Sequence, residues 1–432
     1  MKNTIKKIIT SILWSEAHRV IKKYNPKIVA VTGSVGKTST KDAIFAVLST
    51  GRHIRKSEKS FNSEIGVPLT ILGCNNGWNN PFAWFSNIVH GFSLILWKHE
   101  YPEWLVLEVG ADRPGDIRSL TSWLKPDISV VTRFGKTPVH VEYFKNREEL
   151  IEEKLNLVRA LRRDGVAILN YDDEDVRSFG DYTESAKIFY GFDGGIIKAS
   201  HYRVLTEKTG KGNFPVGIGF NVDYAGIPMA IELFGSLGKH HVYPALAAIA
   251  VGCAQSMAPE EVQAALKDYK PAFGRMHLID GIKGSLIIDD TYNASPVATV
   301  EALHTLATLE KTKRRIAVLG DMMELGAHSS EAHKEIGELA AKSCDILVAV
   351  GVRSRKIADA AMDAGMAEDN IYQFDTSGET GLFIQNMITK GDVVLVKGSQ
   401  SMRMEQTVKE IMAEPEQASE LLVRQEEEWL RR

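Results

Sequence analysis
The chain has 432 residues, more than the length at which a single core stops growing, so it implies more than one domain. A net charge of −3 provides no global basic field and argues against nucleic acid as a partner. Cys74, Cys253 and Cys344 stand far apart without a CxxC pair, which argues against a disulfide framework and a zinc site and points to a reducing, cytoplasmic compartment.

In chain order, residues 1–27 carry lysines and an apolar stripe at Ile5, Ile8, Ile9, Ile12, Leu13, Ala17, Val20, Ile21 and Tyr24, the spacing of one amphipathic helix. Packing against the protein's own body and lying on a membrane surface both fit this stripe. A buried strand, Ile28 to Val31, then runs into a glycine turn and a helix over Thr38 to Leu48. The segment Pro81 to Trp97 has no Asp, Glu, Lys or Arg. Its length, broken by Asn87, His90 and Gly91, does not suit a transmembrane helix; a buried helix and a shallow membrane contact both stay open. Strand-like runs at Leu105–Val109, Ile128–Thr132 and Val166–Asn170 alternate with helical segments, which predicts a parallel α/β domain. Residues 187–235, rich in glycine and β-branched residues, predict an antiparallel addition, and helices follow over Tyr243–Gln255 and Pro259–Lys267. Near Pro271–Arg275 the pattern restarts, with strands Ile316–Leu319, Ile346–Val350 and Val393–Val396 in a second α/β domain. The acidic end, 414–432, reads as a solvated helix. The domains expected are an amphipathic helix over 1–27, a nucleotide-binding domain over 28–272 and a C-terminal domain over 273–432.

The chemistry begins at Gly33-x-x-Gly36-Lys37-Thr38. Backbone N–H groups of a turn through Gly33, Ser34, Val35 and Gly36, and of a helix start at Lys37, Thr38 and Ser39, can surround phosphate oxygens. Lys37 would meet the terminal phosphates of ATP and Thr38 a Mg²⁺ ion. The strict P-loop wants glycine where Val31 stands, so the match is to the shorter form. Glu108 ends an apolar strand at the carboxyl edge of a parallel sheet, where ligands bind, and suits magnesium; an exit to solvent would also place an acid there. His140, beyond the next strand, has a ring nitrogen able to ligate metal or to make a structural hydrogen bond. Lys154 sits on the apolar stripe of its helix with Leu150, Ile151, Leu155, Val158 and Leu161. Such a lysine must snorkel, pair or lose its proton. A neutral amine can add carbon dioxide to give a carbamate, which is a metal-binding anion.

These residues, taken with further motifs in order, resemble the Mur ligase family and within it the D-alanyl-D-alanine-adding branch. The motifs are Thr32-Gly-Ser-Val-Gly-Lys-Thr-Ser39, Phe61-Asn-Ser-Glu-Ile-Gly-Val-Pro-Leu-Thr70, Leu107-Glu-Val-Gly-Ala111, Val139-His-Val-Glu142 and Glu153-Lys154. They continue with Gly274-Arg275, Asp289-Asp-Thr-Tyr-Asn-Ala-Ser-Pro296, Leu319-Gly-Asp-Met-Met-Glu-Leu-Gly326 with His333, and Lys397-Gly-Ser399. The resemblance implies a P-loop central ATPase domain with a parallel sheet, a C-terminal Rossmann-like α/β domain, and an ATP-dependent amide ligase of peptidoglycan precursor synthesis. It implies an acyl phosphate on a muramoyl-peptide acceptor, attacked by the amine of D-alanyl-D-alanine, with domain closure excluding water. Thr38 and Glu108 would hold one Mg²⁺, and carbamylated Lys154 and His140 a second. Arg275 and Asp290 match positions that clasp nucleotide, with Tyr292 and Asn293 near the base.

Two departures qualify it. The P-loop begins after some thirty residues, too few for the uridine-nucleotide-binding domain of this branch, which leaves acceptor recognition open. The Gly-x-His-Asn-x-x-Asn pattern stands as Gly238-Lys-His-His-Val-Tyr-Pro244, with His241 and Pro244 in place of two asparagines that contact nucleotide. Besides the leading reading, a Mur-type ligase for another carboxylate and a nucleotide-gated membrane adaptor without turnover remain, the last resting on the amphipathic start and the altered His241 and Pro244; residues 1–24 and 81–97 together would offer a peripheral membrane contact.

Overall fold
A computed structural model of the chain describes residues 2–58, 62, 64–134, 144–209, 212–224, 226–309 and 312–430. It divides into two compact units. Met1–Ser200, Asn221–Ile231 and Val242–Tyr269 make the first, and His201–Phe220, Glu232–His241 and Lys270–Arg432 the second.

The first unit carries β1 (Lys27–Thr32), β2 (Ile54–Lys56), β3 (Trp104–Glu108), β4 (Ile128–Val131), β5 (Val166–Asn170) and β6 (Ala186–Gly191). Three longer strands, β7 (Ile197–Thr209), β8 (Gly212–Tyr224) and β9 (Ile227–Phe234), are shared between the units. The sheet runs β2-β3-β1-β4-β5-β6-β7-β8-β9, parallel from β2 to β7. Two-residue connections after β7 and β8 permit only antiparallel neighbours. β1 and β3 are apolar along Ile28–Val31 and Trp104–Leu107, and β4 is apolar except for the buried Ser129, because both faces are covered. β1 has β3 on one side and β4 on the other, with Val31 in register with Glu108. The turn leaving β1 and the acid ending β3 therefore emerge side by side at the carboxyl edge of the sheet.

Six helices of this unit bear on the site and on the surface: α1 (Lys2–Tyr24), α2 (Lys37–Leu48), α3 (Gly66–Leu72), α4 (Pro81–Leu96), α5 (Asp116–Thr121) and α6 (Arg147–Arg159). Leu13, Ala17, Val20 and Ile21 of α1 join one core with Val67, Leu69 and Leu72 of α3 and Leu94 of α4. The uncharged 81–97 segment is thus a helix with one packed face, while Phe82, Phe85 and Leu96 stay exposed. No helix among the described residues is long and apolar enough to cross a membrane.

The second unit holds β10 (His277–Asp280), β11 (Leu286–Asp290), β12 (Arg315–Gly320), β13 (Ile346–Val350), β14 (Ile371–Phe374) and β15 (Val393–Lys397). Their order is β10-β11-β15-β12-β13-β14, with only the β10–β11 pair antiparallel. The acidic C-terminal stretch is not the expected solvated helix: it is broken into short helical turns. Arg424 is buried there, donating to Glu405 Oε2 at 2.7 Å and to the carbonyls of Thr291 and Tyr292. An inward guanidinium with these partners holds the segment back on its own unit, an arrangement that charge counting does not show.

Candidate active site
The turn after β1 is shaped by sterics. Gly33 has φ 142°, and a Cβ there would lie 2.0 Å from Thr132 Oγ1. Thr132 Oγ1 in turn donates to the carbonyl of Val35 at 2.7 Å, clamping the turn from β4's end. Gly36, at φ 84°, precedes α2, which has no side-chain cap, the state in which a helix start offers its N–H groups to an anion. The amides of Ser34 and Val35, expected to face phosphate, instead donate to the Arg133 carbonyl at 2.8 and 3.1 Å. Of the expected cradle, that leaves the helix start over Gly36, Lys37, Thr38 and Ser39 as the candidate for phosphate. Lys37 Nζ folds back to the Gly33 carbonyl at 3.0 Å.

Glu108 is buried at the end of β3. Its amide donates to Ser57 Oγ at 3.1 Å, and Asn62 Nδ2 donates to its Oε1 at 3.1 Å. Oε2 is buried with no hydrogen-bond partner. A desolvated carboxylate oxygen left over in this way is costly alone and suited to a cation. Lys41 of α2 is also buried, and its charge interacts with Asp42 and Glu108.

Lys154 is brought to the same place from α6. Its amine donates to the Gly33 carbonyl at 2.9 Å and is buried rather than snorkelling. Burial, and then the neighbouring Lys37 charge, push it well below the ordinary lysine range against the opposing pull of Asp112, Glu153 and Glu108. The adjacent Glu153 works differently: it accepts from the amides of Gly115, Ile117 and Arg118 at 3.0, 2.7 and 2.9 Å, capping the start of α5. That cap fixes the rotation of α6, and with it the direction of Lys154. Lys37, Asn62, Asp112 and Lys154 line one solvent-open cleft of ≈ 320 Å³ with Gly33, Ser34, Gly110, Ala111 and Leu150. His140 lies outside the described residues.

The residues that fit a Mg²⁺ ion are Glu108, through its orphaned oxygen, and Thr38 at the head of α2. Lys154 as an amine does not fit a metal; as a carbamate it would. Residue type alone does not single out Asn62, Ser57 or Glu153 as parts of the site, although Asn62 and Glu153 fall inside the Phe61–Thr70 and Glu153-Lys154 motifs.

In the second unit Arg275 stacks on Tyr292, 4.2 Å from guanidinium carbon to ring centroid. Both oxygens of Asp290 are engaged internally, Oδ2 with Lys397 Nζ at 2.6 Å and Oδ1 with the Met276 amide at 3.3 Å. Lys397 also donates to the carbonyl of Asn293 at 3.0 Å. Asp290 therefore braces the Arg275–Tyr292 stack and the Asn293 backbone. His241, the departure at the asparagine position, is buried, and its Nε2 bonds the Arg275 carbonyl at 2.9 Å. Burial and the nearby His240 hold it neutral. His333 is buried in the same unit, accepting from the Met322 amide at Nε2 (3.0 Å) and giving its Nδ1 proton to the Ser329 carbonyl. Ser399 Oγ accepts from the Met323 amide, and Asp321 from the Ser354 amide. The 319–326 and 397–399 motifs thus form one hydrogen-bonded edge.

Residues 31–252 match the Mur ligase middle domain, and residues 274–400 match the Mur ligase, glutamate ligase domain. The chain is 30% identical over 400 residues to UDP-N-acetylmuramoyl-tripeptide--D-alanyl-D-alanine ligase of Bacillus subtilis, covering 92% of this chain and 79% of that protein. The enzyme of the same name from Escherichia coli is 28% identical over 395 residues, covering 89% and 76%. Among solved structures, the MurF ligase from Thermotoga maritima in complex with ADP aligns with a TM-score of 0.74 at 25% identity, covering 93% of this chain and 83% of that one. Matched by the family's middle and C-terminal domains over most of its length and 30% identical to one of its members, the chain belongs to the Mur ligase family.

Proposed function
We propose that the chain is an ATP-dependent amide ligase that adds D-alanyl-D-alanine to a muramoyl peptide in peptidoglycan precursor synthesis. The observation that carries this reading is the convergence of Lys37, Glu108 and Lys154 on the turn at Gly33, in a chain whose relatives carry that activity in their names. A carboxylate oxygen of the acceptor attacks the γ-phosphorus of ATP, the bond to the β-phosphate oxygen breaks, and ADP leaves an acyl phosphate. The amine of D-alanyl-D-alanine attacks the acyl carbon, loses a proton, and expels phosphate as the amide forms. Lys37 and the open start of α2 neutralise the phosphate charge that grows on the leaving oxygen. A Mg²⁺ ion held by Thr38 and Glu108 would supply further charge neutralisation at the phosphates. Glu153 positions α6, so that Lys154 lies beside the turn throughout. Three free cysteines and a need for ATP support a cytoplasmic site of action.

The test is to supply ATP, Mg²⁺, D-alanyl-D-alanine and UDP-N-acetylmuramoyl-tripeptide, and to follow ADP, phosphate and the pentapeptide product by mass spectrometry. Stoichiometric appearance of all three supports the reading. ATP turnover stimulated only by some other carboxylate would assign a different acceptor, and no stimulated turnover would leave a nucleotide-binding adaptor.

A further inference from the structure
We propose that the outer face of α4, with the exposed basic residues of α1 beside it, is a docking surface for an anionic phospholipid bilayer. Phe82, Phe85, Val89, Phe92 and Leu96 are 82%, 67%, 50%, 47% and 67% exposed. Their spacing of three and four residues puts them on one side of the helix. Trp97, 63% exposed, continues the strip. The opposite side of α4 is packed, with Gly91 and Leu94 buried. A helix apolar all round is normally covered on every side, and an apolar patch of this continuity on a protein surface marks a contact.

Charge identifies the occupant. Lys6, Lys7, Arg19, Lys22 and Lys23 of α1 are exposed, whereas its one acid, Glu16, is buried against Gly91. α4 itself has no charged residue. The pair therefore shows solvent apolar, uncharged polar and positive groups but no negative charge, the pattern of an interfacial helix on anionic lipid.

The ends of α4 are prepared for a medium poor in water. Asn80 accepts from the amides of Phe82 and Ala83, and Pro81 has no amide to satisfy. Lys23 Nζ donates to the carbonyls of Leu94 at 2.8 Å and Ile95 at 3.0 Å, and also to that of Trp97. Tyr24 adds its hydroxyl to Leu94 and Trp97. Backbone groups that would be stranded on entering the headgroup region are thus already paired within the protein. A second helix in a coiled coil would also suit the three-four spacing, but such a seam is ordinarily branched aliphatic rather than phenylalanine, and the one-signed charge of α1 would oppose a second copy.

The experiment is co-sedimentation of the full chain with vesicles of phosphatidylglycerol and phosphatidylcholine, against pure phosphatidylcholine, at low and high salt. The wild type is expected to bind the anionic vesicles and to lose about tenfold or more in partition on pure phosphatidylcholine or at high salt. Phe85→Ser with Phe92→Ser, both exposed positions, should cut binding by about tenfold or more while the melting temperature holds. Lys6→Gln with Lys7→Gln should weaken binding to anionic vesicles only. Absence of wild-type binding to anionic vesicles at low salt overturns the proposal, as does binding that ignores the phenylalanine substitutions. Sedimentation velocity covers the other occupant: self-association abolished by those substitutions, without vesicle binding, would assign the face to a second copy. None of these readouts depends on ligase turnover, so the proposal and the catalytic reading fail separately.

Discussion

The amine of Lys154 donates a 2.9 Å hydrogen bond to the carbonyl of Gly33, across 121 residues of sequence. The bond ties α6 to the turn that follows β1 and leaves a buried lysine whose proton is held weakly. A neutral amine has a lone pair free to attack carbon dioxide, with loss of a proton, to give a carbamate. Lys154→Ala should therefore lower ligation by roughly 100-fold and recover part of it with short carboxylic acids that occupy the vacated space. Growth in ¹³C-bicarbonate should give the wild type a carbamate carbon resonance that the variant lacks. Near-normal turnover in Lys154→Ala would remove this residue from the mechanism.

Lys37 hydrogen-bonds to the carbonyls of Gly33 and Ser34 in its own turn, so its removal leaves the apolar core untouched. Lys37→Ala should melt within a degree or two of wild type and lose acyl-phosphate formation by roughly 100-fold or more. Rapid-quench measurement of acyl phosphate, or of hydroxamate after trapping, separates this from a folding defect. Equal acyl-phosphate formation in both proteins would refute the cradle assignment.

Glu108 has one oxygen held by Asn62 and one with no hydrogen bond. Glu108→Gln keeps the shape and an acceptor for Asn62 while removing the charge. The Mg²⁺ concentration for half-maximal activity should rise by about tenfold or more, with thermal stability equal to or above that of wild type. A magnesium titration that superimposes on wild type would take the ion away from Glu108.

The parts of this architecture that are local in sequence were legible from it. A strand, a glycine turn and a lysine at a helix start are contiguous, and Lys154 betrays itself by standing on an apolar stripe. What escaped are contacts whose partners are remote. Glu153 stands in a motif beside Lys154 with no role assigned to it from sequence, yet its carboxylate caps α5, 35 to 38 residues away. Asp290, implied by resemblance to clasp nucleotide, has both oxygens taken by Lys397 and the Met276 amide. The stripe of α1 announced an amphipathic helix and allowed its packing on the protein's own body, which α4 provides as expected and α3 adds to. For α4, periodicity could not separate the packed face from the exposed one, because both are apolar.

Glu16 offers a test of the α1–α4 packing through pH. It is buried, neither carboxylate oxygen has a hydrogen-bond partner, and a Cβ on Gly91 would lie 2.2 Å from Oε2. Burial pushes its pKa from 4.5 up to about 7, against a smaller opposing effect of Arg19. Between those values the folded protein keeps a proton that the unfolded chain releases, so stability falls as pH rises through that window and levels off above it. Glu16→Gln, permanently neutral, should match wild type near about pH 4 and exceed it at about pH 8 by roughly 1–3 kcal/mol. Differential scanning calorimetry at the two pH values checks this as a higher melting temperature for the variant at the upper pH only. Coincident melting at the upper pH would mean that the Glu16 carboxylate reaches water, and that α1 lies less closely on Gly91 than described.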